Sequence, residues 1–275
     1  MPELPEVETI RRDLQNKILD KEISQVEVKK ESAIKNEIEK FKQVLSGESF
    51  SDLNREAKLL VFDIEDSDQV ILSHLRMTGK YVYDSGTETE FPTKHTGVII
   101  TFENKDKLYF DDIRTFGYMQ IVTEKQKEDI LSKKLGIEPL TDSFTLENFQ
   151  RVLENRRTNI KNLLTNQQAI AGIGNIYADE ICFESKIKPD RKVPTLEDNE
   201  IEELYENIEQ VLQKAIDYRG TTFRDYIDTA GESGNFKKEL KVYNREEKPC
   251  YDCKTLINKV KLSGRGTHFC SNCQQ

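Results

Sequence analysis

The sequence has no apolar run that approaches the ~20 residues of a membrane-spanning helix, and its N-terminus has no signal-peptide core. It also lacks internal repeats and low-complexity tracts. These absences argue against a membrane or exported protein, so we expect a globular protein of the cytoplasm. With 36% hydrophobic and 33% charged residues, the 275-residue chain is long enough for two domains.

Positive charge is in deficit, since 41 Lys and Arg stand against 50 Asp and Glu and give a net charge of −9. That balance alone argues against nucleic acid as a partner. The charge is unevenly distributed, however. Residues 196–213 contain seven acids and no Lys or Arg, whereas residues 241–275 contain seven Lys and Arg against three acids. A basic C-terminal face can therefore still bind an anion.

Cysteine is sparse except near the C-terminus, where two C-x2-C pairs are separated by sixteen residues. Each pair predicts a tight turn that directs two thiolates at one point, and two such turns form a tetrahedral Zn2+ site. Because a reducing compartment is expected, metal binding is favoured over disulfides. We expect one structural zinc ion, a short hairpin between the pairs and a core position for Cys182. The predicted ligands are Cys250, Cys253, Cys270 and Cys273.

Apolar periodicity predicts an α+β fold. Val7, Ile10, Leu14 and Ile18 form a helical stripe, and the strand-like segments that follow predict an antiparallel β-sandwich. The later pattern is helical. The predicted divisions are a helix and sandwich at 1–135, a linker at 136–142, a helical domain at 143–240 and a zinc hairpin at 241–275.

Two glycine-containing segments are candidate anion sites. In "AGIGNIYADEICF", Gly172 and Gly174 permit a tight turn and Asn175 is a good N-cap, while Lys161 could supply charge from the preceding helix. The alternative is an ordinary helical hairpin. In "LSGRGTHFC", two glycines flank Arg265, which suits either a phosphate contact at a hairpin tip or a solvated turn.

The opening "MPELPEVET" is unusual for a globular protein. Pro5, Glu6 and Glu8 fit the first turn of a helix, which favours proline and negative charge. Pro2 and Glu3 are left unexplained by this interpretation.

Together, these features resemble one family, the bacterial formamidopyrimidine-DNA glycosylases, which remove oxidised purines such as 8-oxoguanine. The resemblance covers essentially the whole chain and depends on the order and spacing of its motifs. It implies an N-terminal helix with an antiparallel β-sandwich, a helix-two-turn-helix domain and a four-cysteine zinc-finger β-hairpin. The motifs are "PELPEVETIRR", "REAKLLVFDI", "HLRMTGKY", "DDIRTFGYM", "IKNLLTNQQAIAGIGNIYADEI", "GTTFRDY" and the cysteine-rich tail.

The resemblance gives Pro2 and Glu3 a chemical role. Removal of Met1 exposes the secondary amine of Pro2, which would attack C1′ of the damaged nucleotide and form an iminium ion. That cation promotes β-elimination and then δ-elimination of the flanking phosphates. The resemblance makes Glu3 the acid/base and Lys58 a cation near the nucleophile that assists β-elimination. It makes Arg265 a catalytic residue that serves the 3′ phosphate and the second elimination.

The resemblance also implies contacts with double-stranded DNA. Met77, Arg114 and Phe116 would fill the space left by the extruded base, although core packing is the ordinary interpretation of Met77 and Phe116. Further DNA contacts would come from His74, His95, Arg156, Arg157, Lys161 and Asn175; a structural role for His74 is equally consistent. A lid at 219–236 would cover the base through Phe223, Arg224, Asp225 and Tyr226. Thr78 departs from relatives that carry an acid there.

Two alternatives remain open. The endonuclease VIII branch, which prefers oxidised pyrimidines, shares the N-terminal and zinc features, but "MPELPEVET" and the Met77, Arg114 and Phe116 set favour the purine branch. A non-catalytic DNA-binding zinc protein would explain the tail but not Pro2, Glu3 and Lys58 together. We expect a monomer that acts on DNA containing oxidised purines or abasic sites, at the nucleoid of a bacterial cytoplasm, without a membrane partner.

Overall fold

The computed structural model describes residues 1–86, 91–221 and 234–275. These residues form two compact units. The first comprises Met1–Leu131 with Arg219–Gly234, and the second comprises Ser132–Tyr218 with Asn235–Gln275. None of the helices in the described ranges has the length and apolarity needed to cross a bilayer.

Helices and strands follow one another in the order that the apolar periodicity predicts. In the described residues, the helices are α1 (Leu4–Ile18), α2 (Ile38–Leu45), α3 (Glu124–Lys134), α4 (Leu146–Leu153), α5 (Ile160–Leu164), α6 (Asn175–Glu184) and α7 (Asp198–Asp217). The strands are β1 (Ile23–Val28), β2 (Phe50–Glu56), β3 (Leu59–Ile64), β4 (Gln69–His74), β5 (Gly79–Asp84), β6 (Thr96–Phe102), β7 (Lys107–Asp112), β8 (Tyr118–Thr123), β9 (Asn258–Leu262) and β10 (Arg265–Phe269).

The first unit is the predicted antiparallel sandwich. Its two four-stranded sheets have the orders β2-β3-β4-β8 and β1-β6-β7-β5. Tyr81 lies between Phe62 and Phe110 in the core, with ring centroids 5.6 and 5.3 Å away. The apolar stripe of α1 is buried in the same core, as its spacing predicts.

The second unit combines helices with the C-terminal hairpin. Thr145 and Asn159 cap α4 and α5 through their side chains, each accepting a hydrogen bond from a backbone N–H in the first turn. The hairpin turn between β9 and β10 is Ser263–Gly264, and both residues have positive φ, as the tightest hairpin turns require. The α+β fold that the sequence predicts is confirmed.

Residues 219–221 belong to the first unit. Arg219 forms an ion pair with Asp13 of α1 at 2.8 Å. Thr221 also contacts α1, through Glu6. These contacts connect segments about 200 residues apart, so sequence periodicity could not indicate them.

Candidate functional site

Pro2 and Glu3 directly precede the first turn of α1. Pro2 is half-buried immediately before the helix, whereas Glu3 is the N-cap and only 1% exposed. Glu3 and Glu6 form a capping box, in which the Glu3 N–H donates to the Glu6 carboxylate at 2.9 Å. The helix therefore holds the N-terminal segment in a defined position, which a reactive terminal amine requires.

Glu6 does more than provide negative charge at the start of a helix. Its carboxylate also accepts hydrogen bonds from the backbone N–H and the hydroxyl of Thr221, at 2.8 and 2.9 Å. Gly220 has a φ of +74°, and a Cβ there would lie 2.8 Å from the Glu6 carboxylate. Glu6 thus joins the N-terminal segment to the start of the predicted lid, a role that sequence reasoning missed.

Glu8 is the buried centre of a cluster of charged side chains. Its carboxylate pairs with Arg11, Arg12 and Arg55 at distances of 2.7 to 3.1 Å. Burial by itself would raise the pKa of Glu8, but hydrogen bonds from Arg11 and Arg12 and the nearby charges of Arg11 and Arg55 outweigh it and lower that pKa to about 2. Glu8 is therefore ionised throughout the physiological pH range.

Arg55 connects α1 to the turn that carries Lys58. Its guanidinium pairs with Glu8 and also donates to the carbonyl of Ala57 at 3.1 Å. Ala57 has a φ of +55° and directly precedes Lys58, which is 7% exposed. The predicted cation is therefore held on a turn between β2 and β3 that is fixed to the helix bearing Glu3.

Met77, Arg114 and Phe116 lie together on the surface of the first unit. Met77 is 41% exposed and Phe116 is 54% exposed, so core packing does not explain them. The Arg114 guanidinium lies 2.8 Å from the Met77 sulfur and 4.9 Å from the centroid of the Phe116 ring. We call these three residues the insertion cluster. A flexible apolar group, a cation and an aromatic ring can together enter a base stack.

The two candidate histidines of the first unit have different surroundings. His74 is half-buried at the end of β4, and its Nδ1 accepts a hydrogen bond from the N–H of Arg76 at 3.0 Å. His95 is half-buried in the turn before β6, where its N–H donates to the Thr93 hydroxyl at 2.9 Å. His74 thus has a structural function in the turn that precedes Met77.

Lys161 is almost completely buried within the second unit. Its side chain is 1% exposed, and its ammonium pairs with Asp179, which is fully buried, at 2.6 Å. It also donates to the carbonyl of Gly266 at 3.0 Å and to the hydroxyl of Thr267 at 2.8 Å. Because these partners surround the ammonium, Lys161 fixes the hairpin strand β10 to α5 and α6 instead of facing solvent.

Asn175 also contacts β10. The sequence predicts it as the N-cap of α6, but the cap is Gly174 and the helix starts at Asn175. Its side-chain amide donates to the carbonyl of Gly266 at 3.1 Å, while its carbonyl oxygen is buried without a hydrogen-bond partner in the described residues. Asn175 therefore lies beside the residue that follows Arg265.

Three other predicted site residues are exposed cations. Arg265 is the first residue of β10 and lies at the hairpin tip opposite Leu262. Arg156 and Arg157 follow α4. Their side chains are open to an anionic ligand. Phe223, Arg224, Asp225 and Tyr226 of the predicted lid lie outside the described residues.

The four C-terminal cysteines form a metal centre. Their sulfur atoms all lie within 4.8 Å of one another, on the two turns that the spacing predicts. Burial and the neighbouring thiols raise the pKa of Cys273, because thiolates packed together repel one another. A tetrahedral Zn2+ ion bound by Cys250, Cys253, Cys270 and Cys273 would remove that repulsion, and four thiolates leave no open coordination position. The set therefore fits a structural zinc.

Comparison with known proteins covers the whole chain. Residues 1–119 match the formamidopyrimidine-DNA glycosylase N-terminal domain, residues 135–226 its H2TH domain, and residues 247–275 the zinc finger found in FPG and IleRS. The formamidopyrimidine-DNA glycosylases of Listeria monocytogenes and Desulfitobacterium hafniense are 41% and 42% identical, with 100% of both chains covered.

Solved structures of similar fold point to the same family. A complex between the Lactococcus lactis Fpg and DNA containing an abasic site has a TM-score of 0.92 at 35% identity, covering 99% of both chains. A complex of the Lactococcus lactis protein with DNA containing Fapy-dG has a TM-score of 0.91 at 35% identity, covering 99% of this chain and 100% of that one. The predicted resemblance, fold and single zinc site are confirmed, and this chain belongs to the formamidopyrimidine-DNA glycosylase family.

Proposed function

We propose that this protein is a bifunctional DNA repair enzyme that excises oxidised purines, such as 8-oxoguanine and formamidopyrimidines, and then cleaves the strand at the abasic site. Its membership in the formamidopyrimidine-DNA glycosylase family carries the proposal. The relatives of known structure include Lactococcus lactis Fpg bound to DNA with an abasic site and with Fapy-dG. In the reaction proposed for this chain, Fapy-dG is a substrate and the abasic site is the point of strand cleavage.

The chemistry begins at the Pro2 nitrogen. Once Met1 is removed, the neutral amine attacks C1′ and the base departs with the electrons of the glycosidic bond. The nitrogen then loses its proton and its electron pair opens the C1′–O4′ bond, so that it bears two ring carbons and a double bond to C1′ as an iminium with a fixed positive charge. Loss of the C2′ proton expels the 3′ phosphate, and a further elimination expels the 5′ phosphate. Hydrolysis of the iminium restores the amine.

Glu3 and Lys58 serve this nucleophile from adjacent elements. Glu3, buried at the helix start, donates a proton to the ring oxygen of the opening deoxyribose and accepts protons during elimination. Lys58, held by the turn that Arg55 fixes, supplies positive charge for the phosphate and favours the neutral amine of Pro2. The ion pair between Glu8 and Arg55 supports this assignment, because it joins α1, which follows Glu3, to the turn that carries Lys58.

Further residues hold and distort the DNA. The insertion cluster of Met77, Arg114 and Phe116 fills the space left by the extruded base, with Arg114 hydrogen-bonded to the orphaned cytosine. His95, Arg156, Arg157 and Asn175 contact the backbone. Arg265 contacts the 3′ phosphate from a hairpin that the four-cysteine zinc site stabilises, and the zinc takes no part in the chemistry.

The enzyme acts as a monomer on duplex DNA, at the nucleoid in the bacterial cytoplasm. Support comes from its bacterial relatives and from the placement of every proposed catalytic residue on a single chain. The lid residues 223–226 would cover the extruded base.

Borohydride trapping on an 8-oxoguanine duplex tests the proposal. Reduction of the iminium should leave a covalent protein–DNA adduct. Intact-mass analysis of the same preparation should show that Met1 is absent. DNA binding without an adduct would favour a non-catalytic zinc protein, and faster trapping on oxidised thymine would favour the endonuclease VIII branch. Full excision activity by molecules that retain Met1 would exclude Pro2 as the nucleophile.

A further inference from the structure

Asp112, at the end of β7, joins the two loops that carry the insertion cluster. Its side chain is buried, and one carboxylate oxygen accepts hydrogen bonds from the Thr78 hydroxyl at 2.5 Å and the Arg114 N–H at 3.1 Å. The other oxygen accepts from the N–H of Gly117 at 2.7 Å. One carboxylate therefore holds both ends of the 114–117 segment and the residue beside Met77.

Thr78 completes this arrangement. Its hydroxyl oxygen accepts a hydrogen bond from the Arg114 N–H at 3.1 Å while its proton is donated to Asp112. The loop after β4 and the loop after β7 are thus bonded to each other as well as to the carboxylate. The sequence assigns Thr78 no function beyond its departure from acid-bearing relatives, and the structure gives it this bridging position.

We propose that Asp112 is a positioning residue that fixes the insertion cluster in its DNA-entering geometry, acting through Thr78 and the backbone of residues 114–117. This inference rests on the proposed function. Phe116 and Met77 are strongly exposed, so few packing contacts of their own hold them in place. Insertion into a base stack requires groups that are already ordered, because ordering them during binding costs affinity.

The polarity of Asp112 is essential to this role. All three of its partners are donors in the structure, and an ionised carboxylate is an acceptor at both oxygens. Asparagine has the same shape but places an NH2 group on one side. In either orientation of that amide, an N–H of Arg114 or Gly117 faces another donor. Asp112→Asn therefore disrupts the arrangement without creating a cavity.

The preceding residue, Asp111, provides a matched control. It is equally buried in the same strand, but its carboxylate accepts from the hydroxyls of Thr93 and Thr96, in the turn that carries His95. Asp111→Asn is the same chemical change at the same depth. Because both hydroxyls donate to the same Asp111 oxygen, an asparagine carbonyl can accept both, and the substitution should not reach the insertion cluster.

The experiment measures single-turnover excision of 8-oxoguanine opposite cytosine and opposite adenine, and cleavage at a preformed abasic site in single-stranded DNA. Single-stranded DNA has no orphaned base, so that cleavage reports the chemistry alone. For Asp112→Asn, we expect the ratio of the excision rate opposite cytosine to the rate opposite adenine to fall about fivefold, because the substitution removes one hydrogen bond. Cleavage of the single strand should change less than about twofold. Asp111→Asn should keep the wild-type preference.

A wild-type preference in Asp112→Asn would overturn the inference, as would an equal loss of preference in Asp111→Asn. If Asp112→Asn does not fold, Thr78→Val removes only the bridging hydroxyl and should lower the preference in the same direction; an unchanged preference in that variant would also overturn it. Absence of cleavage by the wild-type enzyme on both substrates would instead refute the proposed function.

Discussion

Lys161 and Asp179 form an ion pair at 2.6 Å with side chains that are 1% and 0% exposed. Asp179 also accepts a hydrogen bond from the backbone N–H of His268 and lies 3.1 Å from its ring Nδ1. Burial lowers the pKa of Lys161, and the charge of Asp179 opposes that shift. The pair thus connects α5, α6 and β10.

Removing one member of this pair should therefore be costly. Asp179→Asn leaves a buried ammonium without a counter-charge, and we expect a loss of about 3–5 kcal/mol in the free energy of unfolding. Urea denaturation measures it. Glu147→Gln is the control, because it removes an exposed pair with Arg151 and should cost less than about 1 kcal/mol. Equal effects of the two substitutions would contradict the structural role assigned to Asp179.

The Glu8 cluster predicts a specific loss of stability in acid. The pKa of Glu8 is about 2 in the folded protein, against an ordinary value of 4.5. The folded state therefore binds the proton less readily than the unfolded state. The stabilisation that ionised Glu8 gives the folded state is fully present above about pH 4.5. It is lost as the pH falls towards 2, and the free energy of unfolding then decreases by about 3 kcal/mol.

Urea unfolding between pH 2 and pH 6 tests this expectation. Glu8→Gln should be less stable than the wild type at pH 6, and the difference should shrink as the pH falls. A constant difference across that range would show that the arginines do not lower the pKa of Glu8.

Zinc should be essential for the C-terminal hairpin. We expect one zinc per chain by elemental analysis, none bound tightly in Cys250→Ser, and a full equivalent in Cys182→Ser. Burial raises the pKa of Cys182, so its thiol stays protonated away from the metal. Chelation should unfold the hairpin, since zinc contributes about 10–16 kcal/mol in small modules, and should weaken DNA binding. Retention of zinc in Cys250→Ser would contradict the four-cysteine assignment.

Pro2→Gly separates chemistry from binding. Glycine supplies a primary amine in place of the secondary one, so strand nicking at an oxidised purine should fall much more than affinity for the same duplex. Single-turnover nicking and equilibrium binding provide the two measurements. An equal loss in both would mean that Pro2 serves binding rather than nucleophilic attack.

Local sequence patterns predicted much of the first unit. The stripe of Val7, Ile10 and Leu14 is buried as its spacing requires, and the predicted apolar strands occur as β3, β4, β6, β7 and β8. The cysteine spacing likewise predicted the metal centre, because two turns with fixed spacing leave few other arrangements.

Long-range pairing of polar side chains could not be predicted in the same way. Nothing near Lys161 in the sequence indicates that Asp179 lies beside it. The adjacent residues Asp111 and Asp112 suggested only the end of a strand, although they point to different loops. The alternation of strand side chains assigns two faces, but the partners on each face depend on tertiary contacts.

The bond between Glu6 and Thr221 has a consequence for biosynthesis. These residues are separated by 215 positions, so the carboxylate at the start of the chain lacks this partner until most of the polypeptide has left the ribosome. A nascent chain that stops before residue 219 would present an N-terminal turn without this support. Completion of translation is thus coupled to the final ordering of the segment that bears the proposed nucleophile.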